Sequence, residues 1–328
     1  MAAILCIVVF VASLGVGRYY VPAHEVAKIL LNHIFPGQIA VTWTEKMESV
    51  ILNIRLPRVM GAVVVGGALS LSGATYQGIF KNPLVSPDLL GVSSGACVGA
   101  SIAILLGRTA AQIQLVALAM GLLAVFCTTM IPKFFKNSSN LMLVLSGIIV
   151  SGFMASVQGF LTYIADPFSD LATIIYWTMG SLASVRGLDI LRIGPVMFIA
   201  MAVLLLIRWR INLLSLSDYE AKTLGVNVPR TRGLAIVCAT VLTASAVCMC
   251  GTIGWVGMII PHFGRLLVGE DNRYMMPIAT LLGMMFMVVV DTIARNLTSS
   301  EIPLSIITGL LGTPLFLWLL MRQKVRIT

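Results

Sequence analysis

Residues 217–232 read SDYEAKTLGVNVPRTR, the longest markedly polar stretch between two strongly apolar halves of the chain. Its own letters describe a short helix and a turn. Ser217 is suited to N-cap a helix, Asp218 and Glu220 stand in a first turn where the macrodipole favours anions, and Gly225 lies where such a helix would stop. Read alone, the stretch fits an ordinary polar loop equally well. The surrounding sequence gives it meaning: an apolar protein that keeps one polar helix on a face has a surface there for docking.

The 328 residues are 58% hydrophobic and 11% charged, with mean hydropathy +0.98. No soluble domain of this size needs that much apolar surface, so the solvent is a bilayer. Apolar runs bounded by charges, Pro and Gly fall at about 2–17, 59–79, 90–107, 112–131, 141–164, 191–207, 233–252, 254–268, 275–294 and 305–321. A span takes about 20 residues, so these predict ten spans, the eighth too short to cross at full thickness. The first run lacks the basic lead of a secretory signal and reads as a first span whose cytoplasmic lead-in is short or absent. Asp166 to Asp189, containing YWTMGSLASV, is too polar to span and too apolar for a free loop; a short interfacial or re-entrant helix fits it. The one long connection, 18–57, carries an amphipathic stretch at Ala23 to Phe35. The predicted fold is all-α, with one transmembrane domain over 1–328.

Orientation follows from the basic residues. With both termini inside, the inner loops hold Lys81, Lys133, Lys136, Arg208, Arg210, Lys222, Arg230, Arg232, Arg265, Arg273, Arg322, Lys324 and Arg326, thirteen of the 22 Lys and Arg. Five of the other nine belong to the long 18–58 segment, and long loops cross with little regard for charge. The 217–232 stretch is then cytoplasmic. The net charge of +9 is explained by the same excess, and no aromatic–basic array points to nucleic acid.

Cys6, Cys97, Cys127, Cys238, Cys248 and Cys250 all lie in apolar runs, none in a CxxC pair or beside a His at metal spacing. They read as small buried hydrophobes, and no metal site is expected. His262, beside Pro261 near a span end, reads as a packed, hydrogen-bonded residue rather than a ligand, and His24 and His33 do not share a helix face. The second span, GAVVVGGALSLSGATYQG, sets Gly66, Ser70 and Ala74 four apart on one face. In lipid such faces let helix backbones touch, so this span is expected inside the bundle.

Several segments together resemble the FecCD family of ABC-importer permeases, which serve ferric siderophores, haem and cobalamin. They are RLPR at Arg55 to Arg58, GGALSLSGATYQGIFKNPLVSPDLLGVSSGA at Gly66 to Ala96 and YWTMGSLASV at Tyr176 to Val185. The 217–232 stretch, GTIGWVGMIIPHFGRLLVG at Gly251 to Gly269 and TGLLGTPLFLWLL at Thr308 to Leu320 complete the set. The resemblance implies a ten-helix type II importer permease, working as a homodimer or as paired halves in the bacterial inner membrane. It also implies two copies of a cytoplasmic ATPase, which hold ATP and Mg, and a periplasmic or lipid-anchored substrate-binding protein. The chain has no GxxxxGK[ST] phosphate loop of its own; it is expected to bind no cofactor and to catalyse no reaction.

The resemblance also implies roles for residues. Coupling helices at about 215–229, namely Asp218 to Leu224 and Gly225 to Val228, would contact the ATPase through Asp218, Glu220, Ala221, Leu224 and Gly225. Arg55 and Arg58, at the outer start of the second span, and Arg295, at the outer end of the ninth, would receive glutamates of the binding protein; the planar fork of Arg suits a carboxylate. Lipid-headgroup anchoring is the other reading of these arginines, and Asp291, one turn before Arg295, can hold or compete for it. Asn82 and Leu84 would form the cytoplasmic gate, in a turn stiffened by Pro83 and Pro87. Ser146, Gly147 and Ser151 would line the translocation pathway. Ferric siderophore is the first cargo expected, with haem, cobalamin and molybdate as alternatives.

A secondary transporter needs ionisable residues near mid-membrane. The middles of the apolar runs hold essentially none, Asp291 being the deepest and lying towards one end. An intramembrane enzyme would need a HExxH, GxSxG or paired-aspartate site, which the spans lack.

Overall fold

The computed structural model describes residues 2–324 apart from 39, 137–138, 215, 217 and 299, without the side chains of 218, 320 and 322–324. Ser217 and Arg326 therefore lie outside the described residues. The helices, in chain order, are α1 (Ala2–Gly15), α2 (Ala23–Ile34), α3 (Glu45–Ser49), α4 (Leu56–Phe80), α5 (Val92–Leu105), α6 (Ala110–Phe134) and α7 (Asn140–Ile164). They continue with α8 (Asp170–Met179), α9 (Gly187–Leu213), α10 (Asp218–Thr223), α11 (Val228–Cys250), α12 (Val256–Val268), α13 (Asn272–Asn296) and α14 (Leu304–Lys324). No strand occurs among the described residues.

Six helices are long and apolar enough to cross a membrane, and four shorter apolar ones are α1, α5, α12 and the 304–319 part of α14. These ten are the ten apolar runs, in order. The second differs from expectation at its start. It is continuous with α3 through a π-helical segment, Val50–Arg55, so the helix runs from Glu45 to Phe80. Pro57 explains how. It has no N–H to give, and the chain accommodates it by widening: the Leu56 N–H bonds the Ile51 carbonyl five residues back.

Helix α4 is the axis of the bundle. In its apolar window 83% of residues are buried, as are 78% for α11, against 22% for α7 and for α9. Small residues allow this. Gly66 lies on Gly283 of α13 so closely that a Cβ on either would stand 2.2 or 2.4 Å from the other's carbonyl oxygen. One turn on, the Ser70 hydroxyl donates to the Ala279 carbonyl at 2.7 Å, and Ala74 is fully buried. The predicted face of Gly66, Ser70 and Ala74 is thus an interior face of the bundle. Another face of α4 meets α11, where Ser72 donates to the Ala239 carbonyl at 2.9 Å and Tyr76 bonds Thr240 at 2.8 Å. Each such interhelical bond contributes roughly 0.6–2 kcal/mol in a bilayer, so together they hold three helices in register.

The turns after α4, α9 and α12 meet at one end. There the Lys81 ammonium donates to the Leu216 carbonyl, and the Asn272 N–H to the Asn212 side chain. At the other end the semi-polar segment forms α8. Its end is stitched to the turn after α11 by Ser181 N–H to Cys250 carbonyl, 2.7 Å, and to α14 by Leu304 N–H to Gly180 carbonyl, 2.9 Å.

Candidate functional site

Two places concentrate polar structure, one at each end of the bundle. At the inner end, α10 is a helix of 218–223 whose Ala221 is buried, while Tyr219, Glu220 and Leu224 are exposed. Its end is closed twice: the Val226 N–H reaches the Ala221 carbonyl at 3.1 Å and the Gly225 N–H the Lys222 carbonyl at 3.0 Å. This is the paired closure that requires a left-handed residue, and Gly225 has φ 79°. Val226 and Ala221, the two apolar residues of the closure, are both buried. The next residue, Asn227, starts α11 by accepting from the Arg230 N–H at 3.2 Å. The expected second short helix at 225–228 is therefore not separate. Its residues are the joint, and Val228 is already the first residue of α11.

The closure of α10 ends at Val226 and the cap of α11 begins at the next residue, Asn227, with no residue left over between them, and α11 lies against the axis helix.

Beside the joint, the turn after α4 is equally tight. Asn82 accepts from the Leu84 N–H at 2.9 Å, and both residues are exposed. The turn is gripped by other helices: His262 of α12 bonds the Pro83 carbonyl at 3.0 Å, and the Gln77 amide donates to the carbonyls of Val85 and Met258. Arg265 in turn donates to Gln77 Oε1 at 2.7 Å. His262 is thus a packed, hydrogen-bonded residue, while Gln77 and Arg265 were not singled out from sequence. A cleft of about 490 Å³ opens here, lined by Lys81, Asn82, Asn212, His262 and Arg265 among others.

The residues expected to line the pathway differ in their surroundings. Ser146 is buried and donates to its own helix at Met142, and a Cβ on Gly147 would stand 2.0 Å from the Leu89 carbonyl oxygen. Both are turned into the chain's own core, against the 3-10 turn Pro87–Leu90, because that turn needs a small surface to lie on. Ser151 is half-buried, and the open face of α7 carries Gly152, Ser156 and Gly159.

At the outer end the three arginines are together, as their positions suggested, but none stands in the open. All three are buried. Arg55 closes the C-terminus of α1, donating to the carbonyls of Leu14 at 2.7 Å, Gly15 at 3.2 Å and Tyr19 at 2.5 Å. Cations belong at such a terminus. Arg58 donates through Nε to Asp291 at 2.7 Å and through Nη1 to Glu301 at 2.6 Å. Arg295 donates to the Ser13 carbonyl at 2.7 Å, and its Nε lies 3.4 Å from Asp291. Asp291, fully buried, is thus shared by two guanidiniums. The pairing of Asp291 with Arg295 was legible; Glu301 was missed. Burial rules out headgroup anchoring for these side chains, and their forks are engaged by the chain itself.

Among the described residues no three His, Cys, Asp or Glu side chains gather in a way that could hold a metal ion.

The sequence matches the FecCD transport family over residues 5–322. It is 38% identical over 313 residues to the molybdate import system permease protein MolB of Haemophilus influenzae, spanning 95% of this chain and 92% of that one. It is 38% identical over 286 residues to the hemin transport system permease protein HmuU of Yersinia pestis, spanning 85% of each. Among solved structures, one described as an inward-facing conformation of an ABC transporter of metal-chelate type matches with TM-score 0.87 at 36% identity, over 98% of this chain and 97% of that one.

Proposed function

The chain belongs to the FecCD transport family, and on that premise we propose that it is the membrane permease of an ATP-driven importer for a ferric siderophore or similar metal chelate. It works as a homodimer in the bacterial inner membrane. Two copies of an ATPase subunit, holding ATP and Mg, dock on the inner face at Asp218, Glu220, Ala221, Leu224 and Gly225. A periplasmic or lipid-anchored binding protein delivers cargo to the outer face above Arg55, Arg58 and Arg295. The chain itself performs no chemistry. Closure of the ATPase pair pushes α10, the push passes through the closed joint into α11, and the gate turn at Asn82 and Leu84 responds.

The observation that carries this reading is the joint. A short polar helix displayed on one face, whose closure is followed at the very next residue by the cap of a core helix, is a part suited to being pushed. The ion-coupled alternative lacks a matching part: the buried polar groups along the middle of α4 are hydroxyls, whereas Asp291 and its arginines gather at one end.

The test is ATP hydrolysis by the purified permease–ATPase complex in lipid discs, with and without binding protein loaded with ferric siderophore. Stimulation by that protein supports both mechanism and cargo. Stimulation only by a haem-, cobalamin- or molybdate-loaded protein keeps the mechanism and replaces the cargo. A chain with which no ATPase co-purifies would end the importer reading.

A further inference from the structure

Glu301 stands on the segment joining α13 to α14, and its side chain is 38% exposed while that of its partner Arg58 is 8% exposed. The cluster it completes has three guanidiniums, of Arg55, Arg58 and Arg295, against two carboxylates, of Asp291 and Glu301. One positive charge is in excess just beneath the outer surface. Such an excess attracts an acidic partner. Yet Arg58 is already occupied on both sides, by Asp291 from below and Glu301 from above. Asp291 cannot leave, since it is buried and shared with Arg295. Glu301 can. The backbone on its C-terminal side is pinned, by the Ile302 N–H to the Ala294 carbonyl at 3.3 Å and the Leu304 N–H to the Gly180 carbonyl at 2.9 Å. Only the Glu301 side chain has to swing for Arg58 to be released upward.

We infer that Glu301 is a resident stand-in for a carboxylate of the docking protein. When that protein arrives, an acidic side chain of its own replaces Glu301 on Arg58, and Glu301 returns when the protein leaves. This rests on the reading that a binding protein docks at this face. The exchange swaps one charge-assisted hydrogen bond for another of the same kind. It keeps the second side of the Arg58 fork satisfied in the undocked state, beyond the bond Asp291 already makes, and it makes docking readily reversible.

Removing the resident raises the undocked state relative to the docked one, because only the undocked state uses Glu301. The experiment measures the dissociation constant of ferric-siderophore-loaded binding protein on the permease–ATPase complex in lipid discs. The variants are Arg58→Ala, Glu301→Gln, Glu301→Asp, and Arg58→Ala with Glu301→Gln. Arg58→Ala should weaken docking. Glu301→Gln should tighten it about tenfold. Glu301→Asp, which keeps the charge but loses the reach, should tighten it too, and this variant decides the matter should Arg58→Ala fail to assemble. In the Arg58→Ala background, Glu301→Gln should bring no gain. Glu301→Gln binding equally or more weakly, while Arg58→Ala is impaired, overturns the exchange and leaves the docking reading standing. A gain with Gln but not Asp, or one persisting without Arg58, also overturns it, since Glu301 would then act only through its charge at a distance. Arg58→Ala docking normally would instead remove the docking reading at this residue.

Discussion

At the outer end, Arg58 and Asp291 meet across 233 positions of sequence, side chain to side chain and out of water. At the inner end, α10 is closed and α11 opened by hydrogen bonds spanning at most five residues, mostly backbone to backbone. The outer construction exists only when α1, α4 and α13 are assembled around it. The inner one is written into ten consecutive residues, Ala221 to Arg230. A fault at the outer end should therefore act on the fold, and a fault at the inner end on the transmission of a push.

The sharpest way to break this contrast is Asp291→Ala. It strips the shared carboxylate from two buried guanidiniums, a change that typically costs about 3–5 kcal/mol. The purified permease should unfold at markedly lower temperature, and an unshifted transition would mean that the outer cluster is not a fold element. Glu220→Arg is the counterpart at the inner end. It should weaken ATPase docking by about 2 kcal/mol or more through a misplaced charge and abolish coupled uptake, with the permease still folded and inserted. Unchanged assembly and uptake would take α10 out of the coupling role.

Smaller effects sharpen the same contrast. Gly225→Ala meets no neighbour within 4 Å, so its cost is the left-handed backbone alone, about 1–2 kcal/mol. It should reduce the ATP-dependent uptake rate more than it reduces global stability; an effect confined to stability would make the joint a mere turn. Asn227→Ala removes the cap of α11 and should cost about 1 kcal/mol. Its signature is faster amide exchange at Arg230 and Thr231, and exchange that stays put would show that the cap is not holding the helix start.

The contrast also explains what could be read from the letters. The ten runs, the amphipathic α2, the semi-polar α8, Gly225 as a stop and the interior face of Gly66, Ser70 and Ala74 all follow from neighbours within a few turns, which sequence displays directly. The start of the second span was misplaced because Pro57 reads as a boundary, and the π-helical widening that accommodates it has no mark in composition. That Ser146 and Gly147 are turned into the chain's own core was not legible in the sequence. Deciding which side of α7 faces inward requires knowing that the 87–90 turn lies against it. Glu301 gave no signal at all: a lone acid in NLTSSE gains its meaning from an arginine 243 positions earlier. The three arginines were rightly placed at one end, but not their burial, since position along a helix says nothing about what closes over it.

Helix α1 is exposed or half-buried along most of its length and buried only at Ser13, Leu14 and Gly15, where Arg55 and Arg295 receive its last turn. Ser13 leaves the ribosome 282 residues ahead of Arg295. At about 5–20 residues per second, α1 waits on the order of tens of seconds for the contact that completes its mooring. Until then Arg55 is the arginine that can hold it. The order of synthesis and the order of closure are thus opposed: α1 is sealed by the much later α13, and a nascent chain halted before α13 would carry an α1 held by Arg55 but not by Arg295.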